Sequence, residues 1–144
     1  MQYYTKKTGT VLDQIERPAA TDFLGFIFEG FEQDRSCAKA RFLIKSEHMN
    51  AGDIVHGGVL AAMLDEIIGV LIVGATDGAS RPITLSMTTS YLTAARNGEL
   101  HACAELIKIG KSTAFATAEL RNEGGDIVAK AEQVSRLYST THSK

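Results

Sequence analysis

The residues best suited to chemistry form one short stretch, in which a histidine and two glycines precede an apolar run that ends in two adjacent carboxylates. The stretch runs from His56, Gly57 and Gly58 to Asp65 and Glu66. Glycines at a helix start leave backbone N–H groups unpaired, and these can bind an oxygen that carries negative charge. Ionised carboxylates are costly to bury without a partner, so two of them in an apolar helix need a reason. Together these groups predict attack on a carbonyl.

The spacing of these groups predicts that they serve different carbonyl groups. Asp65 lies nine residues after His56, which is about 13 Å along a helix. A catalytic carboxylate and an oxyanion donor must both come within about 3 Å of atoms of one carbonyl group. We therefore expect Asp65 to act with the helix start of a second copy, in a two-fold dimer with two equivalent sites. Adjacent helix positions point about 100° apart, so only one of Asp65 and Glu66 can face such a site.

Six stretches that read as strands accompany one long apolar helix. The helix begins at His56 and ends between residues 74 and 78, and glycine-containing breaks separate the last four strands, which predicts a meander. A single antiparallel sheet wrapped around one central helix buries the helix and one sheet face, so we predict an α+β fold. The predicted strands are Phe23–Phe31, Ser36–Ile44, Pro82–Ala95, Glu99–Ile109, Ser112–Arg121 and Ile127–Tyr138.

Alternating side chains indicate which face of the sheet meets the helix. In the strand from Ser112 to Arg121, Ala114, Ala116 and Ala118 share one face, whereas Phe115 and Thr117 share the other. Small side chains on one face allow a thick apolar helix to pack closely against it.

Chain length and net charge limit the number of domains and the binding partners that we expect. A chain of 144 residues suffices for one domain with its own core, and its net charge of -2 provides no basic field for nucleic acid or an anionic membrane. The first 15 residues lack the apolar core of a signal peptide, so we expect the cytoplasm. The apolar stretch from Ile54 to Ala75 is long enough to span a bilayer, but Asp65 and Glu66 near its middle favour a buried core helix.

The cysteines and the remaining histidines give little sign of further chemistry. Cys37 and Cys103 lie in separate predicted strands and are expected to be buried free thiols. His101 and Cys103 share a strand face, but no third or fourth ligand has suitable spacing, so we expect no metal site. His48 and His142 are interpreted as loop and tail residues. The sequence has no glycine-rich phosphate-binding or dinucleotide fingerprint.

The chain has His-Gly-Gly at the helix start and an acid nine residues after the histidine. Together with the order of the elements, this pattern resembles the PaaI-like branch of the hotdog-fold acyl-CoA thioesterases. The resemblance covers a domain of residues 23–138, after an N-terminal segment of residues 1–22 with a short helix around Thr10–Glu16, and before a tail of residues 139–144. It includes the segments Ile109–Phe115 and Gly124–Ala129. It implies hydrolysis of acyl-CoA to free acid and CoA, side-by-side dimers, and a homotetramer built as a dimer of dimers. Coenzyme A is then part of the substrate, and no separate cofactor is implied.

The resemblance also implies roles for the residues around the helix. Asp65 matches the family's acid and is expected to activate water as a general base or to attack directly as a nucleophile, two routes that the residues leave open. The N–H of Gly57 or Gly58 is expected to bind the oxyanion. Asn50 matches an amide close to the thioester or water, and His56 matches the histidine at the helix start, where we expect it to brace the loop.

Further residues are assigned on the same basis. A strand hydroxyl that assists the water is expected at Thr84 in preference to Ser86. The turn that borders the nucleotide or pantetheine of coenzyme A contains Lys108, Lys111 and Ser112.

Glu66 is expected to have a structural rather than a chemical role. We expect it to pair with a cation or a backbone group at the subunit interface. The alternative reading of the whole chain is a non-catalytic module that binds or senses acyl-CoA. A hotdog dehydratase or hydratase is disfavoured, because those enzymes place the histidine and the acid differently.

Overall fold

The computed structural model describes residues 8–140, in which one six-stranded antiparallel sheet packs against one long helix. This arrangement confirms the predicted α+β hotdog architecture. The helices are α1 (Ala19–Phe23) and α2 (Gly57–Ala75), and two 3-10 helices cover Val11–Gln14 and Ser46–His48. The strands are β1 (Phe26–Phe31), β2 (Cys37–Leu43), β3 (Ser80–Tyr91), β4 (Glu99–Ile109), β5 (Thr113–Arg121) and β6 (Ile127–Ser139). The predicted tail residue His142 lies outside the described residues.

The strand order corrects the predicted meander. The order is β1-β2-β4-β5-β6-β3, so only β4, β5 and β6 form a meander, and β3 lies at the sheet edge opposite β1. The segment between Tyr91 and Glu99 therefore crosses from one part of the sheet to another, and Asn97-Gly98 does not close a hairpin. Turn residues specify a local change of direction, whereas the partner of a strand is decided by tertiary packing.

The ends of the strands differ from the prediction by more than two residues at two places. Phe23 belongs to α1, and Gly25 follows it with a φ of 70° before β1 begins. A Cβ at Gly25 would lie 2.4 Å from the Leu43 carbonyl oxygen, so this turn requires glycine. At the other place, β3 ends at Tyr91, four residues before the predicted Ala95.

The small-residue face of β5 packs toward the helix as predicted. Ala114, Ala116 and Ala118 are buried, whereas Phe115 on the opposite face is exposed. The buried side chains of α2 complete this core: Leu60, Met63, Leu64, Ile67, Ile68, Val70, Leu71 and Ile72.

The C-terminal end of α2 is held by a cation from the β1–β2 turn. The Arg35 Nη1 group donates hydrogen bonds to the Gly74 carbonyl oxygen and to Asp77 Oδ1, both at 3.0 Å. A positive group at this end complements the helix dipole. Gly74 also allows close packing, because a Cβ there would lie 2.1 Å from the Phe31 ring.

Helix α2 is long and apolar enough to cross a membrane, with a mean hydropathy of 2.0. It packs against the sheet within the hydrophobic core. This position agrees with its interpretation as a buried central helix.

One side of α2 is left uncovered. Gly58, Ala62 and Asp65 are exposed and lie at helical spacing, so they form one stripe. Large apolar side chains are exposed on the neighbouring edge strand, where Ile83 is 53% and Leu85 is 61% exposed. We call this stripe, together with the edge strand β3, the open side of the molecule.

Candidate active site

The carboxylate of Asp65 is held by a chain of hydrogen bonds on the open side. The Thr84 hydroxyl donates to Asp65 Oδ1 at 2.7 Å, and Gln133 Nε2 donates to Thr84 Oγ1 at 3.1 Å. Gln133 Nε2 also donates to Ser135 Oγ at 3.1 Å. Because Thr84 has one proton and gives it to Asp65, Gln133 must present its amino group to Thr84.

The amide oxygen of Gln133 has no hydrogen-bond partner among residues 8–140. Gln133 is 4% exposed, and within this part of the chain no group donates to its Oε1. Leaving a buried polar atom unpaired costs about 1–3 kcal/mol. The hydrogen bonds that Gln133 Nε2 donates therefore determine how this side chain is oriented.

A bulge in β3 decides which hydroxyl faces Asp65. The pairing of β3 with β6 shifts between Thr84 and Ser86, so that Thr84 lies opposite Ser135 and Ser86 lies opposite Val134. These two partners are consecutive residues and point to opposite faces of the sheet. Thr84 therefore turns toward α2, and Ser86 turns to the outer face.

A small cavity opens beside Asp65. Its volume is about 240 Å³, and most of its walls are apolar. Its lining residues are Leu12, Ile15, Asp65, Glu66, Gly69, Val70, Val73, Pro82, Thr84 and Gln133.

Glu66 has a partner within its own chain. The buried Thr21 hydroxyl of α1 donates to Glu66 Oε1 at 2.7 Å. This bond ties α1 to α2. It gives Glu66 a structural contact different from the interfacial one expected.

At the other end of the stripe, His56 caps the start of α2. Its Nδ1 atom accepts a hydrogen bond from the Gly58 N–H at 2.9 Å. The Gly58 N–H is therefore already paired, whereas the Gly57 N–H donates to none of the residues from 8 to 140. Of the two predicted oxyanion donors, the structure leaves Gly57 available. Tyr91 adds support by donating its hydroxyl hydrogen to the Gly57 carbonyl oxygen at 3.0 Å.

The loop before the helix holds Asn50 through its side-chain oxygen. Asn50 Oδ1 accepts from the backbone N–H groups of Gly52 at 2.9 Å and Ile54 at 3.3 Å. Its Nδ2 group donates to no described residue and remains available.

His48 anchors this loop from the inside. It is fully buried, and its Nδ1 accepts from the Lys45 N–H at 3.1 Å. Its Nε2 then carries the proton and donates to the Phe23 carbonyl oxygen at 2.5 Å. His48 is thus a loop residue, as predicted, with a supporting role.

The start of α2 and Asp65 are separated as the spacing predicts. Gly57 and Asp65 lie about 12 Å apart along the helix. The edge strand repeats this separation, because Tyr91 contacts Gly57 and Thr84 contacts Asp65. Within one chain, these groups cannot reach one carbonyl.

The predicted coenzyme A contacts lie at the same end of the sheet as Asp65. Lys108, Lys111 and Ser112 are exposed around the β4–β5 turn. Strand pairing brings this turn close to the site. Ala114, at the start of β5, lies opposite Ser135, and Ser135 lies opposite Thr84.

Sequence reasoning missed Gln133 and assigned no role to Tyr91. Along β6 the helix-facing positions Ala129, Ala131 and Leu137 are apolar, but Gln133 and Ser135 interrupt them. Two polar residues within a buried strand face are the signal that could have identified this part of the site.

Comparison with known proteins identifies the family. A sequence model of the thioesterase superfamily matches residues 52–129. The medium/long-chain acyl-CoA thioesterase YigI of Escherichia coli K12 is 30% identical over 125 residues, which cover 75% of this chain and 78% of that protein. Human acyl-coenzyme A thioesterase 13 is 28% identical over 96 residues, covering 65% and 68%. A relative from Archaeoglobus fulgidus is 26% identical over 102 residues, covering 70% of this chain and 64% of that protein.

Solved structures have the same fold. Thioesterase HI1161 from Haemophilus influenzae has a TM-score of 0.83 at 20% identity, covering 96% of this chain and 98% of that one. The E. coli PaaI protein from the phenylacetic acid degradation operon has a TM-score of 0.76 at 20% identity, covering 85% and 86%. A Streptococcus pneumoniae thioesterase protein with coenzyme A has a TM-score of 0.72 at 20% identity, covering 79% and 86%. The chain belongs to the thioesterase superfamily and is a thioesterase with the PaaI-like hotdog fold.

Proposed function

We propose that this thioesterase hydrolyses acyl-CoA to a free acid and coenzyme A, in a site shared between two copies of the chain. Asp65 of one subunit and the Gly57 N–H of the partner subunit would face the same thioester. The observation that carries this proposal is that both groups lie on the open side but about 12 Å apart on one helix. A second copy, related by a two-fold axis, can bring each group to the other.

The open side supports a dimer. Its edge strand exposes Ile83, Leu85 and Tyr91, which are 53%, 61% and 53% exposed. A partner packed along this edge strand would remove these apolar side chains from water. Covering them with a second copy would also remove Asp65 from bulk water.

The thioester carbonyl would be polarised at the helix start. The oxygen gains negative charge as the carbon is attacked, and the Gly57 N–H together with the positive end of the α2 dipole would stabilise that charge. The Gly58 N–H is not available to the oxyanion, because it donates to His56 Nδ1 and so holds the imidazole at the helix start. Asn50 Nδ2 is a further donor on the preceding loop.

Asp65 would supply the attacking group by one of two routes. As a general base, it takes a proton from water while the water oxygen bonds to the carbonyl carbon. As a nucleophile, its own oxygen bonds to that carbon and gives a mixed anhydride, which water then opens. In both routes the C–S bond breaks and coenzyme A leaves as a thiol after it gains a proton. Thr84 occupies Oδ1 and leaves Oδ2 for this work.

The surroundings of Asp65 fit the two parts of an acyl-CoA molecule. The largely apolar cavity of about 240 Å³ would receive part of the acyl group. Lys108 and Lys111 would contact the phosphates at the same end of the sheet, and Ser112 would add a polar contact. The names of YigI and human acyl-coenzyme A thioesterase 13 describe acyl-CoA substrates, which supports this choice.

A panel of acyl-CoA thioesters, followed with a thiol-reactive dye, tests the proposal. We expect Asp65→Asn to lower kcat by about 100-fold or more, the usual contribution of a general base. Glu66→Gln is the matched control, because it keeps an acceptor for Thr21 and should retain much of the activity. Equal activity of wild type and Asp65→Asn would overturn the mechanism. Tight binding of coenzyme A without turnover of any thioester would instead favour the binding module.

A further inference from the structure

Three groups that commonly bind metals meet on the outer face of the sheet, opposite α2. Cys37 Sγ and Cys103 Sγ are 3.4 Å apart. A carboxylate oxygen of Glu105 joins them, and all three atoms lie within 4.8 Å of one another. The proposed hydrolysis uses none of these groups. We propose that Cys37, Cys103 and Glu105 bind a thiophilic divalent cation of the zinc class.

The backbone register holds these ligands together. Strands β2 and β4 pair without interruption from Cys37 opposite Glu105 to Leu43 opposite Glu99. Lys39 lies opposite Cys103, so the two cysteines are diagonal neighbours on one face. Ligands on paired strands are held more precisely than ligands on loops.

The distances suit a tetrahedral cation. Zinc binds thiolate sulfur at about 2.3 Å and carboxylate oxygen at about 2.0–2.2 Å, which places two sulfurs about 3.8 Å apart. The observed 3.4 Å is within a few tenths of an ångström of that separation. Glu105 is exposed, so rotation of its side chain can complete the third bond. The fourth position would face a hollow of about 530 Å³ on the same sheet face.

Binding at this site requires the loss of thiol protons. Burial raises the pKa of Cys37 to about 12, and the hydrogen bond with Cys103 adds to this. Zinc binds the thiolate form of cysteine, so the ion has to displace these protons when it binds. The geometry of the three ligand atoms carries the proposal.

We expected no metal site from the sequence, because no third or fourth ligand has suitable spacing beside His101 and Cys103. Cys37 lies on another strand, and only the pairing of β2 with β4 brings it to Cys103. A disulfide is the competing use of the same cysteines, but it requires the sulfurs to approach to about 2.05 Å.

Cobalt binding to the full-length, tag-free protein tests the proposal. The protein is reduced, stripped of metal and titrated with Co²⁺, whose thiolate complexes absorb in the near ultraviolet. We expect one equivalent to bind, and Zn²⁺ to displace it. Cys103→Ser should abolish the absorption, and Glu105→Gln should weaken binding about tenfold or more. Glu132→Gln is the matched control, because Glu132 is an exposed acid beside the same hollow.

Thermal unfolding provides an independent measurement. Zn²⁺ should raise the melting temperature of the wild type and of Glu132→Gln but not of Cys103→Ser, because only a folded site binds the ion. Cys103 and Glu105 are not buried, so both variants should fold, which circular dichroism checks.

Absence of thiolate absorption would overturn the proposal, as would a signal that persists in Cys103→Ser. A Cys37–Cys103 disulfide in a protein that takes up no metal when reduced would also overturn it. Hydrolysis of acyl-CoA is measured separately on the metal-free protein, because none of the three metal ligands belongs to the proposed catalytic site. Failure of the metal site would therefore not count against the proposed hydrolysis.

Discussion

The direction of one hydrogen bond determines what the groups around Asp65 can do. Thr84 has a single proton and gives it to Asp65, so its oxygen is free to accept from Gln133. Gln133 therefore orients Thr84 without touching the reacting atoms, which makes it a positioning residue. Its Oε1 has no partner among residues 8–140, and a buried polar atom left unpaired costs about 1–3 kcal/mol.

Replacing Gln133 by leucine tests this orientation. Loss of one hydrogen bond is worth about 0.5–1.5 kcal/mol, so kcat should fall about 2- to 12-fold while KM changes little. Because the variant also removes a buried unpaired oxygen, the melting temperature should not fall in parallel. Steady-state kinetics and thermal unfolding of Gln133→Leu measure the two effects separately.

A double-mutant cycle with Thr84→Val supplies the control. If Gln133 acts through Thr84, Gln133→Leu should cause no further loss in a Thr84→Val background. Independent, additive losses would show that Gln133 acts by another route.

At the scale of elements, the contact between β5 and α2 depends on side-chain size. The helix-facing positions of β5 are alanines, and Ala116 is 2% exposed. No room remains there for a larger side chain without moving the helix. Because α2 carries both Asp65 and Gly57, its position against β5 also determines where these groups lie.

Ala116→Leu should therefore destabilise the protein. Overpacking a core costs about 1–3 kcal/mol, which denaturant unfolding can measure. Thr117→Val, one residue along and on the opposite face, is the matched control and should change the free energy of unfolding by about 0.5 kcal/mol or less. Similar effects of both substitutions would contradict the close packing of β5 against α2.

The elements also show where sequence reasoning succeeds and where it fails. The helix boundaries and the alternation of β5 follow from periodicity and from turn residues, which are local to one element. The position of β3 beside β6 depends on contacts far apart in sequence, which local turn signals do not specify. The bulge after Thr84, the donor role of Gln133 and the meeting of Cys37 with Cys103 arise only from strand pairing.

At the scale of the whole molecule, a shared site can be tested by mixing two inactive proteins. Gly57→Pro removes the proposed oxyanion donor but suits the first position of a helix. The preceding residue, His56, has a φ of -57° and a ψ of 133°, which lie outside the α region that a following proline disfavours. Asp65→Asn removes the acid at the other end. Each variant alone should be inactive while remaining folded.

Hybrid dimers of Gly57→Pro and Asp65→Asn should regain activity. In each hybrid, one site combines both substitutions, whereas the other contains an intact Asp65 and an intact Gly57. Half of the dimers in an equal, fully exchanged mixture are hybrids, so activity should reach about a quarter of the wild-type value. The measurement is thioester hydrolysis after co-refolding of equal amounts. No recovery in a mixture with verified subunit exchange would overturn the shared site.

The bulge that turns Thr84 toward Asp65 also interrupts the free edge of the sheet. An exposed edge strand presents unpaired N–H and C=O groups that can recruit further strands without limit. In this molecule both edge strands contain a register shift, between Thr84 and Ser86 in β3 and between Phe28 and Gly30 in β1. Each shift breaks the regular row of donors and acceptors, so neither edge is a good template for fibre growth. The irregularity that shapes the site thus also protects the protein against aggregation.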